Sequence, residues 1–136
     1  MSQEEQLQIH GKEVIEALSP ILKWKYDDFH KVILAEFSVD KEDQVFFTLQ
    51  QVMPVCWDAK SIKKAPGQVK HYAGTFAKLI KNQKLLSTNI DNHPQIMAAW
   101  WPWGHGATIS LRLFLTDTSP YVEKSGLIHK LSRLFT

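Results

Sequence analysis

The stretch Gln95–Leu115, QIMAAWWPWGHGATISLRLFL, carries the clearest strand signal in the chain, and its reading decides the fold class. Ile109, Leu111, Leu113 and Leu115 alternate with Ser110, Arg112, Phe114 and Thr116. A period of two places one set of side chains on a buried face and the other on a mostly accessible one. QIMAAWW supplies the partner strand, and the Pro-Trp-Gly-His-Gly segment turns between them. Residues 95–117 are therefore expected to form a β-hairpin, with antiparallel pairing.

The hairpin turn holds three of the chain's five tryptophans, Trp100, Trp101 and Trp103. On an extended backbone Trp101 and Trp103 point one way and Trp100 the other. Pro102 can twist the strand, and Gly104 and Gly106 permit unusual φ values around His105. A tryptophan offers a large apolar area and a ring N–H that wants a partner. At least one of the three is expected to stay exposed or to be covered by another molecule. The outer strand face, with Ser110, Arg112 and Phe114, extends that surface.

Reading outward toward the N-terminus, a helix is expected that starts near Pro66 and runs past Lys84, with Ser87–Pro94 as its end and a loop. Val69, Tyr72, Ala73, Phe76, Leu79 and Ile80 form its buried face, with Lys70, Lys78, Lys81 and Lys84 on the opposite one. KVILAEFSV, with Ile33, Ala35, Phe37 and Val39, and QVFFTLQQV, with Val45, Phe47 and Leu49, each show a period of two around the polar Asp40-Lys41-Glu42-Asp43. They are read as a second hairpin closed by Pro54; the rival is a helix through residues 24–37. Ser2 and Glu5 form a capping-box pattern ahead of a helix, with Leu7, Gly11, Val14, Leu18 and Ile21 on one face. Ser119-Pro120 is read as the start of a C-terminal helix containing Leu127, Leu131 and Leu134.

The expected order is α-β-β-α-β-β-α, an α+β fold in which an antiparallel sheet packs against helices as a single domain over residues 1–136. This order is similar to that of roadblock-type dimerising modules and of some secretion chaperones, a likeness of fold alone.

Composition bounds the function. With 44% hydrophobic and 22% charged residues the chain is that of a globular protein, and no apolar run approaches the length of a membrane span. The single cysteine, Cys56, cannot form an internal disulfide, which points to a reducing, cytoplasmic setting. Residues 1–58 carry 11 acids against 5 Lys/Arg, a balance of −6, and residues 59–136 carry 3 acids against 11 Lys/Arg, a balance of +8. Such opposition suits two faces of one domain or the orientation of an association.

No nucleophile elbow, phosphate-binding glycine loop or His-Glu-x-x-His pattern is present, and the sequence calls for no cofactor. The six histidines make no tight ligand pair; Asp91-Asn92-His93 offers two ligands where zinc needs three or four. Cys56 has no base beside it in sequence, Asp27-Asp28 reads as a turn or cap, and Glu36, which interrupts an apolar strand, faces either a cleft or, as the favoured reading, the outer side of the hairpin. The reading is a non-catalytic binding module for a protein partner or a homodimer, with Trp100, Trp101, Trp103, His105, Arg112 and Phe114 as the binding residues. The alternative is a small-molecule pocket or enzyme around Trp100, Trp103 and His105, with His71 or Cys56 brought near. A third is nucleic-acid binding through Lys60–Lys84, which holds seven lysines and no acid.

Overall fold

A computed structural model describes residues 1–88 and 93–122. Its centre is a six-stranded sheet, antiparallel at every junction. The strands are β1 (Lys25–Asp27), β2 (Val32–Ser38), β3 (Val55–Asp58), β4 (Lys84–Ser87), β5 (Ile96–Pro102) and β6 (Thr108–Leu115), in the spatial order β1-β2-β6-β5-β4-β3. The α-helices are α1 (Gln3–His10), α2 (Lys12–Leu18), α3 (Glu42–Val52) and α4 (Gly67–Ala73). The fold is α+β, with the sheet packed on helices as the sequence indicates. The C-terminal helix expected after Ser119-Pro120 falls mainly on residues 123–136, outside the described residues.

One face of the sheet meets α1, α2 and α3. Leu7, Val14, Leu18, Val45 and Leu49 reach the inward side chains of β2, β5 and β6: Ile33, Ala35, Phe37, Ala98, Trp100, Ile109, Leu111 and Leu113. Ser2 caps α1 as its spacing predicts, its Oγ accepting from the Glu5 N–H at 3.1 Å. Gly11 joins α1 to α2 where the helices touch the sheet. A Cβ there would lie 2.8 Å from the Leu7 carbonyl oxygen and 3.0 Å from Ile96 Cδ1, so only glycine fits the approach.

The second face is covered by Ile62, Ala65, Val69 and Ala73, which sit over Val32, Leu34, Leu85, Met97, Ala99 and Phe114. These covering residues come from the 3-10 turn Ser61–Lys64, from α4 and from the chain between them.

The order differs from the expected α-β-β-α-β-β-α: Gly11 divides the first helix into α1 and α2, and the short strands β1, β3 and β4 join the sheet. Residues 45–49 are helical, in α3, and the partner of β2 beyond its short hairpin with β1 is β6. Val45 and Leu49 fit a helix at i, i+4 as well as a strand at period two. Glu42 and Asp43 favour the helical N-terminus electrostatically, and Phe47, the residue that made the strand pattern, is left exposed. The helix expected from Pro66 past Lys84 is also much shorter: Gly74, at φ +60°, ends α4, a 3-10 turn follows over Gly74–Ala77, and Lys84 belongs to β4.

Candidate functional site

The β5–β6 hairpin forms with the register Ile96↔Leu115 through Pro102↔Ile109. Its turn is tight: the Gly106 N–H donates to the Trp103 carbonyl at 3.0 Å, and Gly106 takes φ +79°. His105 Nδ1 accepts from the Ala107 N–H at 3.0 Å, which fixes the ring over the turn. Pro102 suits the end of β5. Backbone groups of its parity face β4, and β4 begins opposite Trp100, so the missing N–H falls where no strand pairs.

The tryptophans diverge. Trp100 faces the α1–α3 layer, is 1% exposed, and receives Phe37 and Phe46 edge-on at 5.5 and 5.1 Å between centroids. Trp101 and Trp103 lie on the other face. Phe114, on that face too, is buried under Phe76, stacked at 4.0 Å. Trp100 and Phe114 are therefore packing residues, and the accessible members of the expected set are Trp101, Trp103, His105 and Arg112.

Register shows how these four meet. Across β2, β6 and β5, one row is Ser38, Thr108 and Trp103; the next is Glu36, Ser110 and Trp101; the third is Leu34, Arg112 and Ala99. The third row is where the α4 cover begins; in the first two, Ser38, Glu36 and Trp103 are exposed and Trp101 is half-buried. Arg112 bends over this open area. Its guanidinium lies 4.6 Å from the Trp101 ring centroid, and its Nε donates to Ser110 Oγ at 3.2 Å. Ser110 is sealed beneath it, 1% exposed. Trp103 is 42% exposed, with the His105 ring edge-on at 5.4 Å. Among the described residues no carboxylate lies within ion-pair distance of Arg112, and the Trp101 Nε1–H has no hydrogen-bond partner. Ser38 is a member that the sequence reading did not single out, and Glu36, read there as a carboxylate facing a cleft or the outer face of its strand, joins it; the cross-strand register places both beside the tryptophans.

The surface combines an aromatic platform, a delocalised cation and a row of hydroxyls. It can stack planar groups and accept a carboxylate on the Arg112 guanidinium. It holds no nucleophile activated by a base. His71 Nε2 lies 2.8 Å from the Ser119 carbonyl and 3.2 Å from its hydroxyl, with Tyr121 beside it, and His105 contacts Trp103 and Ala107. Cys56, paired with Leu86 between β3 and β4, has its thiol pushed up by burial, with Lys84 opposing weakly. Among the described residues no group of three or more His, Cys, Asp or Glu could hold a metal.

One cavity and the placement of the lysines bear on the alternatives. The cavity, of about 270 Å³, touches Trp100, Pro102 and Lys84, on a side that neither Trp103 nor His105 lines. The lysines of residues 60–84 do not form one stripe: Lys70 Nζ donates to the Lys63 carbonyl, and Lys84 lies 4.6 Å over the Phe46 ring, on the α3 side. No helix among the described residues is long and apolar enough to cross a membrane. Comparison with known proteins finds no matching family model, no matching curated protein and no matching solved structure.

Proposed function

We propose that the protein is a non-catalytic binding module that holds a protein partner, a second copy of the chain included, on the open sheet face around Trp101, Trp103 and Arg112. The observation that carries this reading is Trp103. Its indole is 42% exposed beside a partly covered Trp101 and a guanidinium with no acidic partner among the described residues. Tryptophan and arginine are the residue types most often found at binding hot spots, and here they are adjacent. The opposed charges of the two halves of the chain would orient the association. A reducing compartment, the cytoplasm, suits a chain with one cysteine.

The test is affinity capture from a cell extract with wild type, Trp103→Ala, Arg112→Ala and Phe29→Ala, paired with solution mass at several concentrations. Phe29 is an exposed aromatic on the β1–β2 turn and serves as the control. The proposal expects a partner, or self-association, that both site variants lose and the control keeps. Equal behaviour of all four proteins overturns it.

A further inference from the structure

We infer a second recognition element, a backbone one that adjoins the aromatic face: the open edge of β2, over Ala35–Ser38, accepts one extended segment of another protein as an added antiparallel strand. β2 is seven residues long, but β1 covers only Val32–Leu34 of its outer side. Among the described residues, no strand pairs with the outer side of Ala35–Ser38, a length of about 13 Å.

Which backbone groups face outward follows from two bonds. The Val39 N–H donates to the Ala107 carbonyl at 3.0 Å, and the Trp103 N–H to the Thr108 carbonyl at 2.8 Å. Antiparallel pairs alternate between bonded and non-bonded, so Phe37, Ala35 and Ile33 bond β6, and Ser38 and Glu36 turn their N–H and C=O groups away from it. Both residues are exposed. Two outward donors at strand spacing and the Glu36 carbonyl as acceptor are the elements of strand addition, the Ser38 carbonyl being taken by the first bond of the 3-10 turn Val39–Lys41.

The edge opens into a cavity of about 500 Å³, walled on its far side by Ser19, Pro20, Leu22 and Lys23 and closed by Lys41. Lys41 Nζ makes one long bond, 3.4 Å, to the Ile21 carbonyl. Neither Lys23 nor Lys41 has a carboxylate within ion-pair distance among the described residues. A segment running antiparallel to β2 would begin beside Lys41, so its N-terminal end should carry an acidic side chain. A second copy fits less well, because pairing β2 with β2 would gather four lysines against two glutamates at the seam.

Ser38 permits a clean test. Its φ of −66° and ψ of 144° are those of proline, and its N–H is not used by β6. Ser38→Pro therefore removes an outward donor and keeps the fold, while Ser38→Ala removes only the hydroxyl that accepts from the Asp40 N–H. The probe is a peptide Asp-Thr-Val-Thr-Val, blocked at both ends, titrated into the protein and followed by backbone amide NMR and hydrogen exchange.

The expected result is saturable shifts at Glu36 and Ser38, with at least tenfold slower exchange of both amides, in wild type and Ser38→Ala. Ser38→Pro should show at least tenfold weaker binding while its other amides stay in place. Absence of binding, shifts confined to Trp101 and Trp103, or equal binding by the proline variant overturns the inference. Protection of Glu36 and Ser38 that rises with protein concentration alone also overturns it, since the occupant is then a second copy.

Discussion

The Arg112 guanidinium covers Trp101 at 4.6 Å from the ring centroid while its Nε holds Ser110. One side chain thus closes a hydroxyl, shields an indole and still presents charge to solvent. Arg112→Ala should destabilise the protein by about 1 kcal/mol, through lost stacking and stem packing, and shift the tryptophan emission to the red. Urea titration read by fluorescence checks both. Arg112→Lys should recover little, because an ammonium cannot stack its plane on the ring.

Neighbouring tryptophans should behave as different residue classes. Trp100→Ala empties a site bounded by Phe37 and Phe46 and should lower stability by about 3–5 kcal/mol. Trp103→Ala should change it by no more than about 0.5 kcal/mol. Thermal or urea unfolding of the two variants side by side measures the contrast.

Gly11→Ala places a methyl against the Leu7 carbonyl and Ile96, in a contact formed by backbone on one side and the sheet core on the other. A loss of about 1–3 kcal/mol is expected from overpacking, despite alanine's better helix propensity. An increase in the urea midpoint would show that α1 and α2 can lift off the sheet without penalty.

Acid should weaken the protein modestly through its turns. Asp117 is held below the usual carboxylate range by hydrogen bonds from Ser119, Asp58 by those from Ser61 and then Lys60, and Asp27 by its His30 bond first. A carboxylate with a depressed folded pKa stabilises above its unfolded value, about 3.9, and that stability is lost as pH falls through the folded pKa. Stability should therefore be level above about pH 5 and fall at lower pH. In Asp58→Asn, which keeps an acceptor for the Lys60 and Ser61 amides, the fall should be shallower. Urea midpoints across pH 2–6 report this.

The raised pKa of Cys56 predicts slow reaction with a thiol reagent at neutral pH, accelerating as pH rises. Rapid, complete modification of the folded protein near pH 7 would contradict the burial seen between β3 and β4.

Much of this was legible in the chain. The alternation from Ile109 to Leu115 identified β6, and the same pattern gave β2. The steric rule that adjacent residues of a strand point oppositely separated Trp100 from Trp101. The 42–52 helix was missed because Val45 and Leu49 satisfy both periods, and only tertiary packing against Trp100 and the sheet decides between them. Glu36 and Ser38 could not be placed beside Trp101 and Trp103, since they are more than 60 positions away in the chain and joined only through β6 register. Phe114 and Trp100 looked accessible because sequence does not reveal which stretch of the sheet Phe76 and Phe46 come back to cover.

The order β1-β2-β6-β5-β4-β3 also sets a timetable for synthesis. The strand that bridges the two halves of the sheet is the latest of the six to leave the ribosome, so β2 and β5 wait with bare flanks until Thr108–Leu115 emerges. A nascent chain cut short before that point holds two ribbons with no ladder between them, and it should be a chaperone client where the longer product is not.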